Sequence, residues 1–134
     1  MVENEVMCGE FSNLLNEMIG DRYQYMLDRR PYSLEFEINT RCAGSCIYCF
    51  ASSTESCELE MPKDRAIKLM DEAWDLGVRF VMWSGGDPLL HPDWYDICNY
   101  AGDKGMQNCI LTSSLISKQQ ARELCQLGPS LSSV

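Results

Sequence analysis

Apolar residues first recur at helical spacing. Phe11, Leu14, Leu15, Met18 and Ile19 mark a helix over residues 10–28, which Arg29-Arg30-Pro31 breaks. The period then changes to two. Leu34, Phe36 and Ile38 alternate with Glu35, Glu37 and Asn39, so residues 32–39 predict a strand with one apolar and one polar face. That polar face suits either a polar barrel interior or solvent. A Ser/Thr-rich loop over residues 52–56 leads to a second helix, with Pro62 at its first position and Asp64 in its first turn. Ala66, Leu69, Met70, Ala73 and Trp74 form its apolar stripe, and Gly77 is placed to cap its C-terminus. Residues 78–83 read as a second strand, stopped by Ser84-Gly85-Gly86-Asp87-Pro88. Pro92 and Asp93 open a third helix through Trp94, Ile97, Cys98 and Ala101 to Gly105, and residues 106–112 read as a third strand. Ser117-Lys118-Gln119-Gln120 is a capping box for a last helix, with Ala121, Leu124 and Cys125 inward and Gly128 at its end. Residues 127–134 read as the approach to a fourth strand.

The order is helix, then strand–helix three times. Such alternation predicts an α/β fold with parallel strands and right-handed crossovers, whose functional loops lie at the C-terminal ends of the strands. Two unusual motifs fall at those ends. One is the run Cys42-Ala43-Gly44-Ser45-Cys46-Ile47-Tyr48-Cys49 after the first strand. The other is the Gly85-Gly86 pair after the second.

The C-x3-C-x2-C spacing is the chemical signal in the chain. Iron–sulfur clusters are held by cysteine thiolates. Three thiolates on a four-iron cubane leave one iron without a protein ligand, which suggests reaction chemistry more than electron storage. Structural zinc wants four tetrahedral ligands, often as two paired cysteine motifs, and only one compact block is present. The single histidine, His91, just before Pro92, reads as a loop residue leading into a helix. Cys57, in the Ser/Thr-rich loop, is the candidate for a fourth ligand. Cys98, Cys109 and Cys125 lie in predicted helices or a strand and read as small buried hydrophobes.

Composition narrows the class. With 134 residues, 46% of them hydrophobic, the chain is one domain at most and can bury a core. A formal net charge of −9 disfavours a nucleic-acid surface, which needs clustered Lys and Arg. No apolar run approaches a membrane span of roughly 18 residues. The acidic opening Met1-Val2-Glu3-Asn4-Glu5 does not look like a signal peptide. The eight cysteines are therefore read as reduced thiols in a cytoplasmic protein.

The cysteine run, with an aromatic residue just before its last cysteine, resembles that of the radical S-adenosylmethionine (radical SAM) enzymes. The resemblance implies that Cys42, Cys46 and Cys49 bind a [4Fe–4S] cluster. It further implies that SAM chelates the fourth iron and is reductively cleaved to a 5′-deoxyadenosyl radical. Ser84-Gly85-Gly86-Asp87-Pro88 is similar to the family's Gly-Gly-Glu motif, which binds the SAM amino group. Asp87 stands where the motif usually has Glu and reaches one methylene less far, so backbone carbonyls are the alternative acceptors. By the same resemblance Tyr48 lies by the adenine, and Thr112-Ser113-Ser114 supplies hydroxyls facing SAM, with Ser113 the candidate contact. The look of the motifs is nearest to the branch that modifies peptides or matures cofactors such as haem and quinones. The partners implied are a small-molecule or peptide substrate and a flavodoxin- or ferredoxin-like electron donor.

A full barrel of eight units takes ~250 residues, or about 31 per unit, so residues 32–134 hold about three units. The family's core resembles a partial barrel of six. The chain is thus expected to be a truncated or split member: residues 1–30 a helical segment, residues 31–134 the first half of the core. A second polypeptide would supply the rest. The competing readings are an electron-transfer module with a fully ligated cluster, and a zinc-binding module without SAM chemistry.

Overall fold

The computed structural model describes residues 20, 22–44, 46–56 and 58–134. Most of the helix expected over residues 10–28 lies outside them, as do Cys8 and Cys57; residues 22–27 are helical. The elements that follow alternate as the periodicity requires. They are β1 (Ser33–Asn39), α1 (Lys63–Leu76), β2 (Phe80–Gly85), a 3-10 turn at Pro88–Leu90, α2 (Trp94–Asp103), β3 (Gln107–Ile110), α3 (Lys118–Gln126) and β4 (Leu131–Ser133). The four strands form one parallel sheet in sequence order. This is the α/β architecture expected of a partial barrel, and the fourth strand is present.

Period-two alternation assigns the faces. Ile38, Val81, Trp83 and Ile110 are buried in a single apolar cluster with Ala66, Met70 and Ala73 of α1, Ile97, Cys98 and Ala101 of α2, and Leu124 of α3. Leu34 and Phe36 pack against it. α1, α2 and α3 therefore cover one face of the sheet. Each large apolar side chain buried there contributes roughly 1.5–3 kcal/mol. The opposite face carries Glu35 and Glu37 of β1, Phe80, Met82 and Ser84 of β2, and Gln107 and Cys109 of β3. Register aligns Glu35 with Met82, Glu37 with Ser84, and Met82 with Cys109. Both glutamates are exposed.

Local chemistry sets the helix ends. Gly77 caps α1 in the left-handed region at φ 108°. The Ser117 side chain accepts from the Gln120 N–H, and the Gln120 side chain accepts from the Ser117 N–H, completing the capping box of α3. Asp71 of α1 accepts from the Tyr100 hydroxyl (2.8 Å) and Lys104 Nζ (2.6 Å), tying α1 to the end of α2.

Two expectations need correction. The second strand does not stop at Trp83: Ser84 and Gly85 continue it, because Glu37 and Asn39 of β1 still pair with them. On α3, Ala121 and Cys125 are exposed, and only Leu124 is buried. That helix meets the core along one line, where Gln120 Nε2 donates to the Leu89 carbonyl (3.0 Å) and Leu127 follows Leu124 inward.

Candidate functional site

The C-terminal edge of the sheet is assembled by contacts between loops. Asn39 ends β1 and its carbonyl accepts from the Gly86 N–H (2.8 Å). The Arg41 carbonyl accepts from the Asp87 N–H (2.8 Å). These bonds lay the glycine pair directly on the segment that enters the cysteine run. A β-carbon at Gly86 would lie 2.1 Å from the Arg41 carbonyl oxygen, and one at Gly85, where φ is +115°, would lie 2.3 Å from the Asn39 oxygen. Only glycine fits either place. The glycines thus serve backbone-to-backbone approach between the two motifs, whatever else they meet.

Asp87 locks this junction. It is 1% exposed. Its Oδ1 accepts from the Leu89 N–H (3.0 Å), and its Oδ2 from the Thr112 hydroxyl (2.7 Å) and the Ser114 N–H (3.2 Å). The Asn39 amide donates to its carbonyl (2.9 Å). One residue therefore ties the three strand ends together: its carboxylate joins β2 to β3, and its backbone joins β2 to β1. The sequence marked Asp87 as a ligand contact; within the fold both carboxylate oxygens already hold donors.

The cysteine run is anchored at its start, where the Cys42 N–H donates to the Thr54 carbonyl (3.1 Å). Arg41 Nη2 donates to Glu60 (2.8 Å) and to the Leu90 carbonyl (2.7 Å), fixing the entry to the loop. The Gly44 N–H points at Cys42 Sγ (3.4 Å). A β-carbon on Gly44 would meet Cys42 Sγ at 3.4 Å, Cys46 Sγ at 3.5 Å and Ser113 Oγ at 3.8 Å. Two of the three thiols and the Ser113 hydroxyl thus surround one small volume that glycine leaves open. Turn hydrogen bonds from Cys49 N–H to the Cys46 carbonyl (3.0 Å) and from Ser52 N–H to the Cys49 carbonyl (3.2 Å) carry the chain onward. Among the described residues, no three His, Cys, Asp or Glu side chains are gathered as a metal ligand set. Tyr48 is 85% exposed, flanked in the same loop by exposed Ile47 and Phe50.

Among the described residues, three buried polar atoms at this edge have no hydrogen-bond partner: Asn39 Oδ1, Ser84 Oγ and Ser114 Oγ. Buried polar groups are ordinarily hydrogen-bonded, and leaving one unpaired costs about 1–3 kcal/mol. Together with the cradle at Gly44 and the thiol donor set, they fit a polar ligand beside an iron–sulfur group.

The remaining candidates have structural roles. His91 is buried with both ring nitrogens engaged: Nδ1 accepts from the Asp93 N–H (3.0 Å), so Nε2 donates to the Met61 carbonyl (2.9 Å). It joins the α1 approach to α2 and offers no lone pair to a metal. Cys98 is a core residue whose thiol is pushed up by burial. Cys109 is also buried, as expected, whereas Cys125 is not. The parts that sequence reasoning missed are Arg41 and the Asn39 amide, and the role of Thr112 as a donor to Asp87. Their partners are distant in sequence, so no local pattern announces them.

Residues 36–134 match the Radical SAM superfamily. The chain is 28% identical over 107 residues to the Fe-coproporphyrin III synthase of Methanosarcina barkeri, covering 78% of this chain and 27% of that protein. It is 29% identical over 100 residues to the PqqA peptide cyclase of Bradyrhizobium diazoefficiens, covering 73% and 26%. The fold superposes on Streptococcus suis SuiB bound to S-adenosylmethionine with a TM-score of 0.64 at 21% identity, over 78% of this chain and 23% of SuiB. The chain thus spans about a quarter of the length of these relatives. They include proteins named for tetrapyrrole synthesis and for peptide cyclisation, in keeping with the branch that the motifs pointed to. With its matching span, its parallel sheet and its cysteine run at the strand ends, the chain belongs to the radical SAM superfamily.

Proposed function

We propose that this chain carries the cluster and SAM site of a radical SAM enzyme. Cys42, Cys46 and Cys49 would hold a [4Fe–4S] cluster and leave one iron open to SAM. When bound, the cluster supplies the electron that cleaves SAM reductively to a 5′-deoxyadenosyl radical. The observation that carries the reading is the convergence of Cys42 Sγ, Cys46 Sγ and Ser113 Oγ on the space left by Gly44. Cys49 would complete the ligand set when the metal is bound, since metal affinity depends on all the ligands being gathered. The Gly44 N–H is placed to stabilise the Cys42 thiolate.

Around that centre, Ser84, Gly85 and Gly86 present backbone and hydroxyl groups to the SAM amino end, and Asp87 holds them in position from behind. Ser113 faces the cluster side, and Tyr48 folds over the adenine from its exposed place in the loop. The substrate is a peptide or a small molecule, as the names of the relatives suggest. A flavodoxin- or ferredoxin-like donor supplies electrons, and further polypeptide completes the barrel.

Anaerobic reconstitution with iron and sulfide tests this. The protein is expected to turn brown and hold about four irons per chain. Cys42→Ala, Cys46→Ala and Cys49→Ala are each expected to lose most of that iron, and Cys57→Ala to keep it. A colourless protein, a zinc-loaded one, or loss of iron only in Cys57→Ala would overturn the reading.

A further inference from the structure

Among the described residues, the face of the sheet turned away from α1, α2 and α3 holds a carboxylate without an ion pair, cross-strand from an unsatisfied hydroxyl. Glu37 is cross-strand from Ser84 and shares its face. Ser84 is 8% exposed, and its Oγ has no partner. Glu37 also stands against the glycine pair: a β-carbon at Gly85 would lie 3.2 Å from Glu37 Cβ. Glu37 and Asn39 border one open cavity of about 230 Å³, and Asn39 Oδ1 is a second buried acceptor without a partner. Glu60, on the same cavity, is committed to Arg41. Glu37 has no ion pair among the described residues. Asp87, the motif carboxylate, is buried with donors on both oxygens.

We propose that Glu37, with Ser84 Oγ and Asn39 Oδ1, receives a primary ammonium group. The chemistry matches in number. An ammonium carries three N–H donors and no acceptor; Glu37 supplies an exposed carboxylate, cross-strand Ser84 an unpaired hydroxyl, and Asn39, at the end of the same strand, an unpaired amide oxygen. A carboxylate is the acceptor that gains most from a cationic donor. Two sources present such a group, the aminoacyl end of SAM and a lysine-type side chain of a substrate. The first rests on the SAM reading above. The second needs only the open sheet face.

The test uses the reconstituted chain and its Glu37→Gln variant, with binding measured by equilibrium dialysis. The probes are SAM, 5′-methylthioadenosine (the same nucleoside without the aminoacyl group), and the blocked amino acids N-acetyl-lysine and N-acetyl-norleucine methylamide. Glu37 is exposed, so the variant is expected to keep its thermal midpoint. If the ammonium is that of SAM, Glu37→Gln weakens SAM about tenfold or more and leaves methylthioadenosine unchanged. If it is a substrate's, SAM is unchanged and the preference for the lysine probe over its norleucine counterpart falls by a similar factor. Ser84→Ala moves the same ligand in the same direction by less. Equal affinities of wild type and Glu37→Gln for both ammonium probes would overturn the proposal. A wild-type chain that takes up no SAM would instead count against the SAM reading, while the lysine comparison still decides the role of Glu37.

Discussion

Asp87 sits inside a ligand motif, and both of its carboxylate oxygens accept hydrogen bonds from the fold. Its carboxylate gathers the Leu89 and Ser114 N–H groups and the Thr112 hydroxyl, and its own N–H and carbonyl bind Arg41 and Asn39. Restoring the family's usual residue is therefore expected to harm this chain. Asp87→Glu adds a methylene at a site 1% exposed, where overpacking costs about 1–3 kcal/mol. Chemical denaturation should show a lower midpoint, with no gain in SAM affinity. A variant as stable as the wild type that binds SAM more tightly would mean that the carboxylate faces the ligand. The sequence marked Gly85, Gly86 and Asp87 as SAM contacts, with the glycines letting the backbone approach the ligand. It did not show that the glycines are required by the Arg41 and Asn39 carbonyls, since those contacts are formed only once β1 and β2 are paired.

Between elements, polar contacts supplement the apolar core, and one of them makes stability depend on pH. Hydrogen bonds from Lys104 and then Tyr100 hold the Asp71 carboxyl below its ordinary value. A depressed carboxylate stabilises the fold above the unfolded-state value of about 4, and that contribution fades as the pH falls through the folded-state value. Asp71→Asn should therefore be less stable than the wild type near neutrality, with the gap closing as the solution is acidified below the ordinary carboxylate range. Thermal midpoints across that range measure it; a gap that is constant with pH would show that the carboxylate charge is not involved. The elements themselves were legible because their periods are clean. Leu34, Phe36 and Ile38 alternate, Ala66, Met70 and Ala73 recur at helical spacing, and the Ser117 box forms as written. The end of β2 was misplaced because Ser84 and Gly85 have little strand preference, and pairing with β1 overrides it. Cys125 was misplaced because helical periodicity says which residues share a face, not whether a neighbour covers it.

Across the described residues, the parallel sheet sets the candidate site residues on one edge, and α1, α2 and α3 pack on one face. The fold class, the shared edge and the superfamily could all be read from 134 residues, because a strand–helix repeat and a C-x3-C-x2-C run constrain so much. The Gly44 cradle and the unpaired Ser84, Ser114 and Asn39 oxygens were beyond reach, because they arise where three loops meet. The central claim is that three thiolates leave one iron open to SAM. Electron paramagnetic resonance of the anaerobically reconstituted, dithionite-reduced protein, recorded with and without SAM, tests it most directly. The account predicts a reduced [4Fe–4S] signal whose shape changes when SAM is added. A cluster signal that SAM leaves unaltered, or no cluster signal at all, would contradict it.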